Sequence, residues 1–120
     1  MDANLRACVA YIAGRLASKR KSSSVFDYDQ GKYISIGGSL SMSAVNVYDY
    51  DQGCYIAGSG NGSRYSLYHY GESCYITLQI AESTFRGFDY GSSSHFSGRV
   101  SGNSISIYDY GEGGYFNYAI

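Results

Sequence analysis

The stretch VYDYDQGCYI, residues 47–56, decides how the rest of the chain is read. Residue types alternate up to Tyr50, an Asp-Gln-Gly cluster interrupts, and the alternation resumes at Cys54. A period of two on both sides of a turn cluster is the pattern of two strands joined as a hairpin, and a helix cannot produce it. Four further copies follow the same plan: VFDYDQGKYI (25–34), LYHYGESCYI (67–76), GFDYGSSSHF (87–96) and IYDYGEGGYF (107–116). The copies are offset by 22 residues once and then by 20 three times. Between them lie GNGS (60–63), AEST (81–84) and SGNS (101–104), which are turn sequences in their own right.

The expected architecture is mainly β: a ten-stranded antiparallel up-and-down meander built from five hairpin repeats over residues 25–120. Two-residue loops at Gln30-Gly31, Gln52-Gly53, Asn61-Gly62, Glu72-Ser73, Glu82-Ser83, Ser92-Ser93, Gly102-Asn103 and Glu112-Gly113 set the register. One face then carries Val25, Ile34, Ile36, Val45, Val47, Ile56, Leu67, Ile76, Leu78, Ile80, Phe85, Phe96, Val100, Ile105, Ile107, Phe116 and Ile120. That is a core face. The other carries Tyr28, Tyr33, Tyr48, Tyr50, Tyr55, Tyr68, Tyr70, Tyr75, Tyr90, Tyr108, Tyr110 and Tyr115, with Phe26, Phe88 and His95. Three-residue bulged loops would instead mix the two sets.

An aliphatic sheet face needs a second layer or closure into a barrel. Residues 2–20 supply the filler, a helix with Leu5, Cys8, Val9, Ile12 and Leu16 as a stripe and small residues around much of the remaining circumference. The sheet is expected to be a closed barrel or a strongly curved sheet with this helix on or inside the aliphatic face, residues 1–120 forming one domain. Gly38, Gly58, Gly87 and Gly98 fall on the inner face, where they are expected to give the helix clearance. A membrane barrel would need the aliphatic set outside and a polar lumen, the reverse of this arrangement.

Composition narrows function by exclusion. Charged residues are 16% of the chain and the net charge is -1, so no nucleic-acid or membrane partner is indicated. The three cysteines are an odd number without metal-ligand spacing, which points to a reducing compartment and, with no apolar helical span, to a cytoplasmic location. His69 and His95 lie in no nucleophile motif, so a non-catalytic protein without cofactor or metal is expected.

Two constellations remain. Asp27, Asp49, His69, Asp89 and Asp109 recur at one motif position and fall on the aliphatic face near one end, on every second strand and so about 10 Å apart. They either accept hydrogen bonds from turn amides at the rim or form a ring that attracts a small cationic ligand. The helix start, with Arg6, should lie at the same end and neutralise them. The tyrosine face is the second. Such an exterior either stabilises the sheet through cross-strand pairs or serves as a contact surface, foremost for further copies of the chain.

Overall fold

A computed structural model describes residues 1–120 as a helix, α1 (Ala3–Ser18), followed by ten strands. These are β1 (Ser24–Asp27), β2 (Lys32–Leu40), β3 (Ala44–Asp49), β4 (Cys54–Gly60), β5 (Arg64–His69), β6 (Cys74–Ala81), β7 (Thr84–Asp89), β8 (Ser94–Ser101), β9 (Ser104–Asp109) and β10 (Gly114–Ala119). Each strand pairs antiparallel with its neighbours in sequence, and β1 pairs with β10 through Phe26–Ala119 and Asp27–Tyr118. The sheet is therefore a closed barrel with no free edge.

The two faces sort as the alternation requires. Every residue of the expected core face is buried except Ile80, Phe116 and Ile120, which are half-buried and packed against the core. Two tyrosines join that core, Tyr65 and Tyr118, because they share the inward parity of Leu67 and Phe116. The Tyr65 hydroxyl donates to the Met42 carbonyl, and Tyr118 accepts from Arg6, so neither buried hydroxyl is left unpartnered.

The turns at the motif end are longer than expected. Asp27 pairs with Lys32, so the turn is Tyr28–Gly31 and not the dipeptide Gln30-Gly31. The same four-residue turn recurs at Tyr50–Gly53, Tyr70–Ser73, Tyr90–Ser93 and Tyr110–Gly113. Each ends on a residue of positive φ, between +53° and +71°. At Gly31, Gly53 and Gly113 the N–H of that residue reaches back to the carbonyl of the motif aspartate. The pairing moves by two residues, which leaves every side chain on its face. Tyr33, Tyr55 and Tyr115 consequently oppose Phe26, Tyr48 and Tyr108, not Tyr28, Tyr50 and Tyr110.

At the other end Glu82-Ser83 and Gly102-Asn103 are two-residue turns as read from sequence. The Asn61 turn slips by one residue to Gly62-Ser63, because Asn61 itself pairs with Arg64 and its side chain accepts the Ser63 and Arg64 amides.

Helix α1 lies in the lumen. Every residue from Asn4 to Gly14 is buried, on all sides of the helix, and α1 packs against β1, β2, β6, β8, β9 and β10. Asp2 caps its start by accepting the Leu5 amide, and Lys19 closes its end in the left-handed conformation, two residues short of the expected span. Gly14 lies close against the wall: a Cβ there would stand 2.8 Å from the Ile105 side chain. The four strand glycines serve a different purpose from helix clearance. A Cβ on Gly38, Gly58 or Gly87 would meet a neighbouring-strand carbonyl at 2.0 Å or less, so these positions permit tight coiling of the sheet itself. At Gly87 and Gly98 the rings of Phe96 and Phe85 on the adjacent strands cover the bare backbone.

Candidate functional site

The five motif residues that sequence places near one end are all buried there, at 0–2% exposure. Each closes its own turn. Asp27 Oδ1 accepts the amides of Asp29 and Gln30, Asp49 Oδ1 those of Asp51 and Gln52, and Asp109 Oδ1 those of Gly111 and Glu112. Asp89 accepts the Gly91 amide and the Ser92 hydroxyl. His69 does the same through Nδ1, which accepts the Glu72 amide at 2.8 Å. The side chain immediately before each turn thus satisfies amides that the loop leaves unpaired.

The second carboxylate oxygens of Asp27, Asp49 and Asp109 turn toward the helix start. Asn4 donates to Asp49 and Asp51 together, and Gln30 links Asp27 to Asn4. Arg6 donates to Asp109 Oδ2 at 3.0 Å and to the Tyr118 hydroxyl at 2.9 Å, while its guanidinium stacks 3.4 Å above the Phe116 ring. The Met1 amino group lies 3.1 Å from the same carboxylate. Burial pushes the Asp109 carboxyl up, but these cationic donors outweigh it and hold the group below the usual carboxylate range. Burial likewise opposes the charge on Arg6, and its contacts with Tyr118 and Asp109 more than offset that. Arg6 was legible as the neutralising cation. Asn4 was not, since a lone asparagine in a helix carries no pattern.

This arrangement leaves little of the ring for a ligand. The lumen is filled by α1, and the depression beside Asp89, lined by Asp2, Leu5, Glu72, Cys74, Gly91 and Ser92, has about 160 Å³, below the ~300 Å³ at which small-molecule pockets begin. No three His, Cys, Asp or Glu side chains approach closely enough to hold a metal.

The thiols hold equivalent places. Cys54 Sγ lies 3.7 Å from His69 Nε2 and Cys74 Sγ 3.6 Å from Asp89 Oδ1, so each joins one hairpin to the motif residue of the next. Burial, with Asp89 adding to it, pushes the Cys74 thiol up to about 11, and burial raises Cys54 and Cys8 as well. Thiols held in the protonated form are poor nucleophiles.

Outside the same end of the barrel, the aromatic residues assemble into five equivalent triads. In each, a half-buried central ring meets one ring from the turn and one from the opposing strand: Phe26 with Tyr28 and Tyr33, Tyr48 with Tyr50 and Tyr55, Tyr68 with Tyr70 and Tyr75, Phe88 with Tyr90 and His95, Tyr108 with Tyr110 and Tyr115. Centroids stand 4.6–4.9 Å apart at interplanar angles of 66–76°, the edge-to-face geometry that the ring quadrupole favours. The outer tyrosines remain open to solvent, from 46% at Tyr55 to 72% at Tyr115. The barrel therefore wears a belt of rigid, tyrosine-rich clusters, which suits a binding or structural role.

Comparison with known proteins returned no match, whether to a family model, to a curated sequence or to a solved structure. The reading of this surface rests on its geometry.

Proposed function

We propose that the protein is a non-catalytic binding or structural protein that works through the aromatic belt and associates with further copies of itself. The exposure of the paired outer tyrosines carries this reading. Tyrosine presents a large apolar body with a polar tip, and rings already held by neighbours lose little rotamer freedom on contact. Tyrosine is accordingly enriched in the cores of protein interfaces. A closed barrel offers no strand edge for pairing, so association has to run through side chains.

Charge distribution supports the same reading. All of the ten acidic residues except Glu82 sit at the motif end, whereas Arg15, Lys19, Arg20 and Lys21 gather where the helix leaves the barrel at the other. Opposed ends favour ordered contacts between copies over random ones. The raised thiols and the His69 imidazole, whose Nδ1 is committed to a turn amide, support a role without catalysis.

Sedimentation velocity across a concentration series tests the proposal. The wild type should sediment as a concentration-dependent oligomer, and the double variant Tyr33→Ser, Tyr75→Ser should shift toward monomer with its circular dichroism unchanged. A wild type that stays monomeric throughout, or a double variant that associates equally well, overturns self-association.

A further inference from the structure

The chain has nine lysines and arginines. Arg6 is paired inside the barrel, Lys32 is paired with Asp51, and four others cluster at the helix end. The remaining three, Arg64, Arg86 and Arg99, all lie exposed on the outer face of β5, β7 and β8. None of the three forms an ion pair, although Arg86 is oriented by donating from Nε to Gln79 Oε1 at 3.0 Å.

The register fixes how they are spread. Arg64 and Arg86 both pair with Gln79 from opposite sides, which puts them two strand spacings, about 10 Å, apart. Arg99 stands two residues beyond Ser97, the partner of Arg86, a diagonal of about 7–8 Å. Here two large depressions of the surface adjoin, at about 800 and 760 Å³, sharing Gln79, Arg86 and Ser97. Gly87 and Gly98 form part of their floor, at the point where the sheet coils too tightly for a side chain. Their walls include rings from two triads, Phe88 with His95 and Tyr108 with Tyr115. No acidic residue lines either one.

We propose that this groove binds an acidic oligosaccharide, a chain of sugar rings carrying carboxylate or sulfate groups. The three arginines are rooted about 7–10 Å apart along the sheet, so their charge is spread over the groove and suits an extended ligand that bears several charges. Neutral hydrogen-bonding groups lie between the cations: Gln79 separates Arg64 from Arg86, and Ser97, Thr84 and Ser106 surround Arg86 and Arg99. That alternation matches charges separated by sugar hydroxyls. A single-stranded nucleic acid asks instead for an unbroken cationic track and open ring faces for its bases, whereas these rings already pack edge-to-face within their triads. Arg is suited to both acid types because its planar fork accepts carboxylate and sulfate oxygens in pairs.

Fluorescence anisotropy with labelled heparin hexasaccharide, galacturonate hexasaccharide, neutral maltohexaose and an oligothymidylate tests the proposal and separates sulfate from carboxylate as the source of charge. We expect at least one acidic saccharide to bind and the neutral one not to. Arg86→Gln should weaken that binding roughly tenfold, the loss of a charge-assisted hydrogen bond. Lys21→Gln, which removes the same charge from a residue that does not line the groove, should leave it unchanged. The Tyr33→Ser, Tyr75→Ser variant should bind as the wild type does, because the groove does not depend on self-association. No binding of either acid, equal binding of maltohexaose, tighter binding of oligothymidylate, an unaffected Arg86→Gln, or an equal loss in Lys21→Gln overturns it.

Discussion

The two ends of the barrel are closed by different kinds of turn. At the helix-exit end, Glu82-Ser83 and Gly102-Asn103 join strands by two residues. At the motif end, four-residue turns fold back over buried aspartates, and those aspartates reach from the turn amides to the helix start. One end is therefore closed locally, by backbone preference and by side chains such as Asn61 that cap their own turn. The other couples three of its five turns, those of Asp27, Asp49 and Asp109, to the docking of α1. The motif repeats strictly because one ten-residue unit supplies the cap on the inside and the aromatic triad on the outside.

The largest expected consequence of that coupling is at Asp109. Asp109→Asn keeps the shape but leaves Arg6 buried without a countercharge, and such a break costs about 3–5 kcal/mol. Asp27→Asn, whose partners are turn amides and Gln30 and not a cation, should cost about 1 kcal/mol. Urea denaturation of both variants measures the difference. Equal losses would mean that the carboxylates matter as turn caps alone. Because the folded Asp109 carboxyl titrates below its usual value, its contribution is fully present above about pH 4 and is lost as pH falls further.

Much of this was readable in the chain. Alternation assigned the inward and outward sets, since a period of two survives any shift of register by two residues, and that is why the longer turns changed the pairing of Tyr28 without moving it from its face. What could not be read was the turn length itself. Asp-Gln-Gly admits a two-residue or a four-residue loop, and the choice depends on whether the upstream aspartate caps the amides. The role of Gly38 and Gly58 was also hidden, because how closely the carbonyls of Asn46 and Ser66 on the next strand approach depends on the coiling of the sheet, which alternation does not record. Asn4 bridges residues 45 and 47 positions away, a distance at which single residues carry no pattern.

The triads should separate the two ends next. Tyr48 is the hub of two edge-to-face contacts, so Tyr48→Ala is expected to lose about 1–3 kcal/mol, against about 1 for Tyr33→Ala, which loses one. Thermal denaturation reads both. Equal losses would show that the rings contribute through burial and not through their mutual geometry.

A gain is expected at both ends where a side chain sits in the left-handed region. Ser73, Ser93 and Glu82 have φ of 53°, 53° and 56°. Substituting Gly relieves about 1 kcal/mol of backbone strain at each, less what the freer unfolded chain takes back. If Ser73→Gly stabilises less than Glu82→Gly, the motif-end turn is held by its histidine cap and not by its own backbone.

His69 gives the smallest and most specific effect, because it stands where the other four copies have aspartate. Its Nδ1 accepts the Glu72 amide, so the proton of the neutral ring is on Nε2, toward Cys54. Burial lowers its pKa below the usual 6.5, although Asp2, Glu72, Asp49 and Asp89 all pull the other way. The unfolded chain therefore takes up a proton at higher pH than the folded one does. Stability is fully present above about pH 6.5 and declines as pH falls through the folded pKa, where protonation of Nδ1 breaks the turn cap. His69→Asp should restore the capping of the other copies and flatten the urea midpoint between about pH 5 and 7. A wild-type slope that persists in His69→Asp would show that the sensitivity does not arise at this imidazole.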